Sequence, residues 1–135
     1  MKGTIRKKTY KKTQTSEVAG LSQYALTMRL YKEMLRRLEV CEYAMNNRPA
    51  LGAKFFDLKS TSLGKVLAIS AYLIETTDKS ADTVISDIFI QMYTYVYQNA
   101  MDANLRVELA STQRAKEMVT KIIEVWGVIP ETSRY

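Results

Sequence analysis

Apolar side chains recur at intervals of three and four residues over most of the chain, which is the period of an amphipathic α-helix. The first run begins after Ser22, whose hydroxyl can cap the free amides at the start of a helix. It ends where Asn46, Asn47 and Pro49 interrupt the pattern. The stripe of this first predicted helix contains Tyr24, Met28, Tyr31, Leu35, Leu38 and Met45, widened by Leu26, Leu30, Met34, Cys41 and Ala44.

Three further helices are predicted from the same periodicity. The second spans about residues 55–74 and is expected to break near residues 60–62, where hydroxyl side chains cluster. The third spans about residues 81–103, after a polar connector, and the fourth spans about residues 107–126. No segment alternates in the way that a β-strand requires, so the chain is expected to be helical throughout.

Short connectors between four long helices favour an all-α fold, an antiparallel four-helix bundle of up-down topology with room for a short extra helix. The domain organisation predicted from the sequence is a basic, flexible N-terminal arm over residues 1–20, a helical bundle over residues 21–129 and a C-terminal tail over residues 130–135. The side chains predicted to form the core are Leu26, Leu30, Leu35, Phe89, Met92, Val96 and Trp126.

The third predicted helix carries more apolar side chains than one face can hold. Between Asp87 and Leu105 there is no proline or glycine, and few side chains are charged. One stripe has the spacing expected of a core-facing surface and consists of Ile85, Phe89, Met92, Val96, Ala100 and Ala103. A second stripe, rotated by roughly a quarter turn at about 100° per residue, consists of Ile90, Tyr93, Tyr97 and Met101.

A helix in a four-helix bundle normally buries one stripe, so the second stripe needs another cover. Three things could cover the second stripe: the other helices, the chain's own N-terminal arm, or a partner protein. Tyrosine and methionine suit a partner surface, because tyrosine combines an apolar ring with a hydroxyl and methionine adapts to irregular shapes. The pattern leaves open whether this helix is the most enclosed one of the bundle or a partner-binding one.

The positive charge of the chain is concentrated at its N-terminal end. The net charge is +6 from 20 basic and 14 acidic residues, and the first twelve residues contain six basic side chains and no acidic one. The remaining 14 basic residues balance the 14 acidic ones, so the predicted bundle is formally neutral. A basic arm can contact phosphate or simply aid solubility.

The residues needed for common catalytic and metal sites are missing. The sequence has no histidine, one cysteine and no glycine-rich phosphate loop, so we expect no enzyme activity, no metal and no cofactor. Cys41 lies among apolar positions and is interpreted as a small core residue. The lone cysteine, together with the lack of a signal peptide or a membrane-length apolar run, predicts a cytoplasmic protein without membrane insertion.

Several short motifs resemble the FliS family of flagellin export chaperones. The order Met92-Tyr93-Thr94-Tyr95, then Asp102-Ala103-Asn104, then a last helix ending in Trp126 is similar to the family's Leu-Tyr-Asp-Tyr, Ala-Asn and closing tryptophan. The first helix adds Leu30-Tyr31, and the similarity extends over residues 21–126. Thr94 stands where the family has aspartate.

This resemblance implies a cytoplasmic chaperone that binds the disordered C-terminal segment of flagellin, prevents its premature polymerisation and assists flagellar secretion. The implied partners are that segment and components of the flagellar export apparatus, with no nucleic acid, and the chain is expected to be a monomer or a weak dimer. Family members use the N-terminal arm to cover part of the empty groove. The partner-binding residues predicted here are Tyr10, Leu67, Ala71, Ile74, Ile90, Tyr93, Tyr97, Met101, Val119 and Ile122.

Two functions of other classes remain open from the sequence. One is a self-associating helical adaptor, whose second stripe pairs with the same stripe of another copy. The other is a nucleic-acid-binding bundle that uses the basic arm, and its affinity would fall steeply with salt. The neutral bundle makes the second alternative the weaker one.

Overall fold

The computed structural model describes residues 22–80 and 83–129, and these residues form five helices and no strand. The predicted all-α fold is therefore confirmed. The helices are α1 (Gln23–Asn46), α2 (Arg48–Leu51), α3 (Lys54–Thr76), α4 (Thr83–Arg106) and α5 (Leu109–Val128).

The four long helices form a closed ring in which each packs against two others. The neighbours are α1 with α3, α3 with α4, α4 with α5, and α5 with α1. Successive helices in the chain are thus neighbours in space and run in opposite directions, which is the predicted up-down bundle. The single turn of α2 lies in the connection between α1 and α3 and touches both.

Local backbone features mark several helix ends. The Ser22 hydroxyl accepts a hydrogen bond of 3.1 Å from the Ala25 amide, as the sequence predicts for an N-cap. The connection after α1 turns at Gly52, which has a positive φ of 58° that a residue without a side chain adopts at little cost. Val107 also has a positive φ, of 54°, so α5 begins at Leu109 and not at residue 107.

The break expected near residues 60–62 does not occur, since α3 is continuous from Lys54 to Thr76. Ser62 and Leu63 are buried in the bundle, whereas Ser60 and Thr61 are exposed, so the inward-facing side chains hold the helix through this segment. Tertiary packing therefore outweighs the weak local preference of serine and threonine for other conformations.

The core extends along the inward faces of all four long helices. Of the predicted core, Phe89, Val96 and Trp126 are buried, while Leu30, Leu35, Met92 and Leu26 are half-buried. The predicted stripe of α1 includes every buried residue of this helix, but the core residues chosen from it are displaced, because the inward line lies one position away from Leu30 and Leu35. The fully buried side chains of α1 are Tyr31, Met34, Leu38, Cys41 and Ala44.

An aromatic cluster holds one end of the bundle together. The Trp126 ring stacks on Tyr24 at 5.5 Å and meets the edges of Tyr31 and Phe89 at 5.7 Å and 5.6 Å between centroids. The Trp126 indole N–H also donates to the Tyr24 carbonyl at 3.3 Å. Because these residues come from α1, α4 and α5, the cluster fixes three helices to one another.

A pair of tyrosine hydroxyls crosses the centre of the core. The hydroxyls of Tyr31 on α1 and Tyr93 on α4 are 2.5 Å apart and share a hydrogen bond, although these two helices are not neighbours in the ring. Burial raises the pKa of Tyr31, and burial also raises the pKa of Tyr93 to about 12. Each hydroxyl therefore stays protonated and supplies the hydrogen-bonding partner that the other needs in the core.

Replacing one tyrosine of this pair by phenylalanine should destabilise the bundle nearly as much as replacing both. A single substitution leaves the other buried hydroxyl without its partner, which costs about 1–3 kcal/mol, whereas the double substitution removes both polar groups. The free energies of unfolding in urea of Tyr31→Phe, Tyr93→Phe and the double variant test this coupling. Additive losses in the double variant would show that the hydroxyls act independently.

The same pair should make the fold sensitive to strongly alkaline solution. Both pKa values are raised above the ordinary tyrosine value of 10.0, so the unfolded chain loses these protons first. The stabilising contribution is complete below that value and is lost as the pH rises towards about 12, where Tyr93 ionises in the folded chain. Urea unfolding at about pH 8 and about pH 11 should show a larger loss for the wild type than for the double phenylalanine variant. Equal losses would contradict this origin.

Candidate partner-binding surface

The side of α4 that faces α3 is located by a buried lysine. The Lys59 ammonium donates to the carbonyl and to the side-chain oxygen of Asn104, both at 2.9 Å. Because α3 and α4 are antiparallel, Leu67, about two turns after Lys59, lies level with Tyr97, about two turns before Asn104. By the same reasoning Ile74 lies level with residue 90.

Six of the predicted partner-binding residues fall along this line, and we call them the α3–α4 seam. On α3 the seam contains residues spaced by four and three positions, and on α4 it contains residues spaced by seven and four, so each set lies on one side of its helix. The residues of the α3–α4 seam are Leu67, Ala71 and Ile74 on α3, and Ile90, Tyr97 and Met101 on α4.

The α3–α4 seam is apolar and open to solvent. Ala71 is exposed and the other five residues are half-buried. Leu67 and Ile74 pack against the core, whereas Ile90, Tyr97 and Met101 do not belong to the side chains that line it. The outer side of α4 therefore presents apolar surface that the bundle itself does not use.

Tyr93 lies in the core, and its predicted place on an open groove is wrong. Only 4% of Tyr93 is exposed, and its hydroxyl is bound to Tyr31. Tyr93 follows Phe89 by four positions and precedes Val96 by three, so it continues the inward stripe as well as the outer one. The packing of α4 in the bundle places Tyr93 in the core.

Val119 and Ile122 are also core residues, which corrects the groove predicted on the fourth helix. Both are fully buried. They lie between Ala115 and Trp126 at intervals of four, three and four residues, which is the inward stripe of α5. The other predicted contact, Tyr10, lies outside the residues that the structure describes.

A depression opens on the outer side of α4 at the end of the α3–α4 seam. Its volume is about 340 Å³, and it is lined by Tyr97, Gln98, Met101 and Asp102. Tyr97 and Met101 are one helical turn apart, as are Gln98 and Asp102, so the depression lies between two parallel pairs of side chains. It combines an apolar wall with a polar one.

A second apolar surface on α4 was not predicted from the sequence. Ile88 and Tyr95 are 47% and 38% exposed, and Val84 is exposed as well. They lie towards α5, because Asn99, on the same side of α4, accepts a hydrogen bond of 2.9 Å from Arg114 of α5. Their spacing of four and seven residues is itself a helical stripe and was the available signal.

Three titratable groups of the described residues, Cys41, Glu33 and Glu42, are held by contacts within the fold. Burial raises the pKa of Cys41, whose sulfur lies 3.7 Å from the Thr112 hydroxyl, so it is a buried thiol as predicted. A hydrogen bond from Arg36 holds the pKa of Glu33 below its usual value. Lys116 does the same for Glu42 across α1 and α5, at 2.8 Å.

Neither a metal cluster nor a membrane span occurs in the parts of the chain that are described. Within residues 22–80 and 83–129, no three histidine, cysteine or acidic side chains are grouped in a way that could hold a metal ion. None of the helices in these ranges is both long and apolar enough to cross a membrane. The seam and the depression offer apolar surface, a tyrosine hydroxyl, an amide and a carboxylate.

The comparison with protein families agrees with this architecture. A family model described as flagellar protein FliS matches residues 6–133 of the 135 residues. No curated protein matches the sequence. The family match supports the flagellar export chaperone role that the sequence motifs implied. The chain belongs to the family of the flagellar protein FliS.

Proposed function

We propose that this protein is a cytoplasmic export chaperone that binds the disordered C-terminal segment of flagellin along the α3–α4 seam. The observation that carries the proposal is the half-exposed apolar line of Ile90, Tyr97 and Met101, which the core does not use. Family membership supplies the flagellar context. The function is binding and involves no catalysis and no cofactor.

The mode of binding that suits this surface is an amphipathic helix laid into a groove. A seam between two antiparallel helices is an elongated apolar channel, and a client helix can place residues at intervals of three and four into it. Tyr97 offers a ring with a hydroxyl that tolerates water, and Met101 can adapt to the client's shape. The client segment then holds its own apolar face against the chaperone and cannot use it for polymerisation.

The surface towards α5 extends the area available to the client. A disordered client loses conformational entropy when it folds on binding, so a broad apolar surface is needed to offset that cost. Val84, Ile88 and Tyr95 provide such a surface on the other side of α4. A client that folds in two segments can contact both sides of α4.

Two further steps belong to the proposed function. The client is released to the export apparatus, and Tyr10 of the N-terminal arm covers the empty seam.

Substitution of the seam residues on α4 should weaken client binding without unfolding the bundle. In Tyr97→Ser and Met101→Gln, the affinity for a fluorescein-labelled C-terminal flagellin segment from the same cell should fall about tenfold, which corresponds to about 1.4 kcal/mol. Fluorescence anisotropy measures the affinity, and circular dichroism measures the melting temperature. Tyr43→Ser is the matched control, because Tyr43 is an exposed tyrosine of α1 outside the seam. Unchanged binding in both seam variants would reject this site.

Substitutions on the α5 side of α4 distinguish client binding from self-association. Ile88→Ser combined with Tyr95→Ser should reduce binding of the same flagellin segment severalfold and leave the mass of the free protein unchanged. Light scattering of wild type and variant measures that mass. If the wild type is a stable dimer and the variant a monomer, the surface serves self-association, and the adaptor function is the better description.

A further inference from the structure

The depression on α4 has an uneven chemical lining. One wall is the Tyr97 ring and the Met101 thioether, and the other is the Gln98 amide and the Asp102 carboxylate. Asp102 is half-buried, so its carboxylate stands beside apolar surface and not in bulk water alone. A ligand that fits both walls needs an apolar stem and a hydrogen-bonding or charged end.

The charge of Asp102 has no opposite charge paired with it among the described residues. Asp102 makes no ion pair with any side chain in residues 22–80 and 83–129, and Arg106, one turn later on α4, makes none either. The ammonium of Lys59 is directed at Asn104 instead.

The position of Asp102 on the helix adds to this negative charge. Since α4 ends at Arg106, Asp102 lies about one turn from a helix C-terminus, where the backbone dipole disfavours an acidic side chain by about 0.3–1 kcal/mol. Within residues 22–80 and 83–129 the carboxylate therefore has no ion-pair partner, and it would gain from an external cation. A positive charge is also the charge that the C-terminal end of a helix favours.

We infer that this depression binds a basic side chain, arginine or lysine, of the docked client segment. The aliphatic stem lies along Met101 and the Tyr97 ring, and the cationic end reaches the Asp102 carboxylate and the Gln98 side-chain oxygen. Arginine and lysine bury their stems against apolar surface in this way while the charge remains near water, and an aromatic ring face attracts a cation. The inference rests on the proposed function, because the client must lie along the α3–α4 seam.

The first experiment tests the depression without any client. N-Acetylarginine amide is titrated into the full chain with ¹³C-labelled methionine methyl groups, and the Met101 signal is assigned with a Met101→Leu variant. The expected result is a saturable shift of the Met101 signal with arginine and none with N-acetylcitrulline amide, which has the same shape without the charge. No shift, or equal shifts with both compounds, would overturn the inference.

Two variants locate the charge that is responsible. Asp102→Asn should weaken the arginine effect by about threefold or more, as expected for a charge pair at a partly exposed site. Asp57→Asn is the matched control, because Asp57 is exposed on α3 and does not line the depression. An equal effect of both substitutions would mean that general electrostatic attraction explains the shift, and the specific site would be rejected.

The client is tested separately, so that the two proposals can fail independently. The labelled flagellin segment should bind Asp102→Asn about threefold more weakly than the wild type at low salt, with a smaller difference at high salt. Binding to the wild type with no loss in Asp102→Asn would leave the proposed function standing and overturn the client's basic contact. Failure of the segment to bind the wild type would reject the proposed function, and the arginine titration would still decide the site.

A basic residue of the chain's own N-terminal segment is the competing occupant. A full-length variant in which the six basic side chains of residues 1–12 are changed to glutamine should bind N-acetylarginine amide with unchanged affinity. A severalfold gain in affinity would show that the chain's own segment fills the depression, and the assignment to a client would be overturned. The six residues are Lys2, Arg6, Lys7, Lys8, Lys11 and Lys12.

Discussion

A closed ring of four helices gives each long helix one inward face and two sides that meet its neighbours. The inward face of α4 is formed by Phe89, Tyr93, Val96, Ala100 and Ala103, and Ile90, Tyr97 and Met101 lie outside the core. Ile90 and its companions are therefore held at the side next to α3, and Ile88 and its companions at the side next to α5. The geometry of the ring, more than the amount of apolar sequence, produces accessible apolar surface.

Polar contacts inside the bundle keep that surface in a fixed arrangement. The Tyr31–Tyr93 hydroxyl pair joins two helices that are not neighbours, and the Lys59–Asn104 contact aligns α3 with α4 at the far end. The tyrosine pair is buried and the Lys59–Asn104 contact is partly buried, where an unpaired polar group is costly, so both contacts favour one alignment of the helices. In the proposed function, a surface on helices aligned in this way would lose little entropy on binding, and the ordering cost would fall on the client.

Periodicity in the sequence identified which residues share a side of a helix, and less reliably which direction that side faces. Leu67, Ile74 and Tyr97 were predicted together and do lie together. Tyr93 and Val119 were assigned to the same surface and belong to the core. The spacing of three and four residues fits two adjacent stripes equally well when a helix is apolar over a wide arc, so only the neighbouring helices decide between them.

The sequence by itself determined the all-α class, four long helices close to their observed bounds, the cap at Ser22 and the family, because these depend on local spacing and on motifs in order. The tertiary structure alone decided the direction of each stripe, the continuity of α3, and the approach of Lys59 to Asn104. It also decided that Asp102, which forms no ion pair among the described residues, lines a depression with one apolar and one polar wall. These features depend on contacts between residues far apart in the chain, and helical period carries no information about the rotation of one helix relative to another.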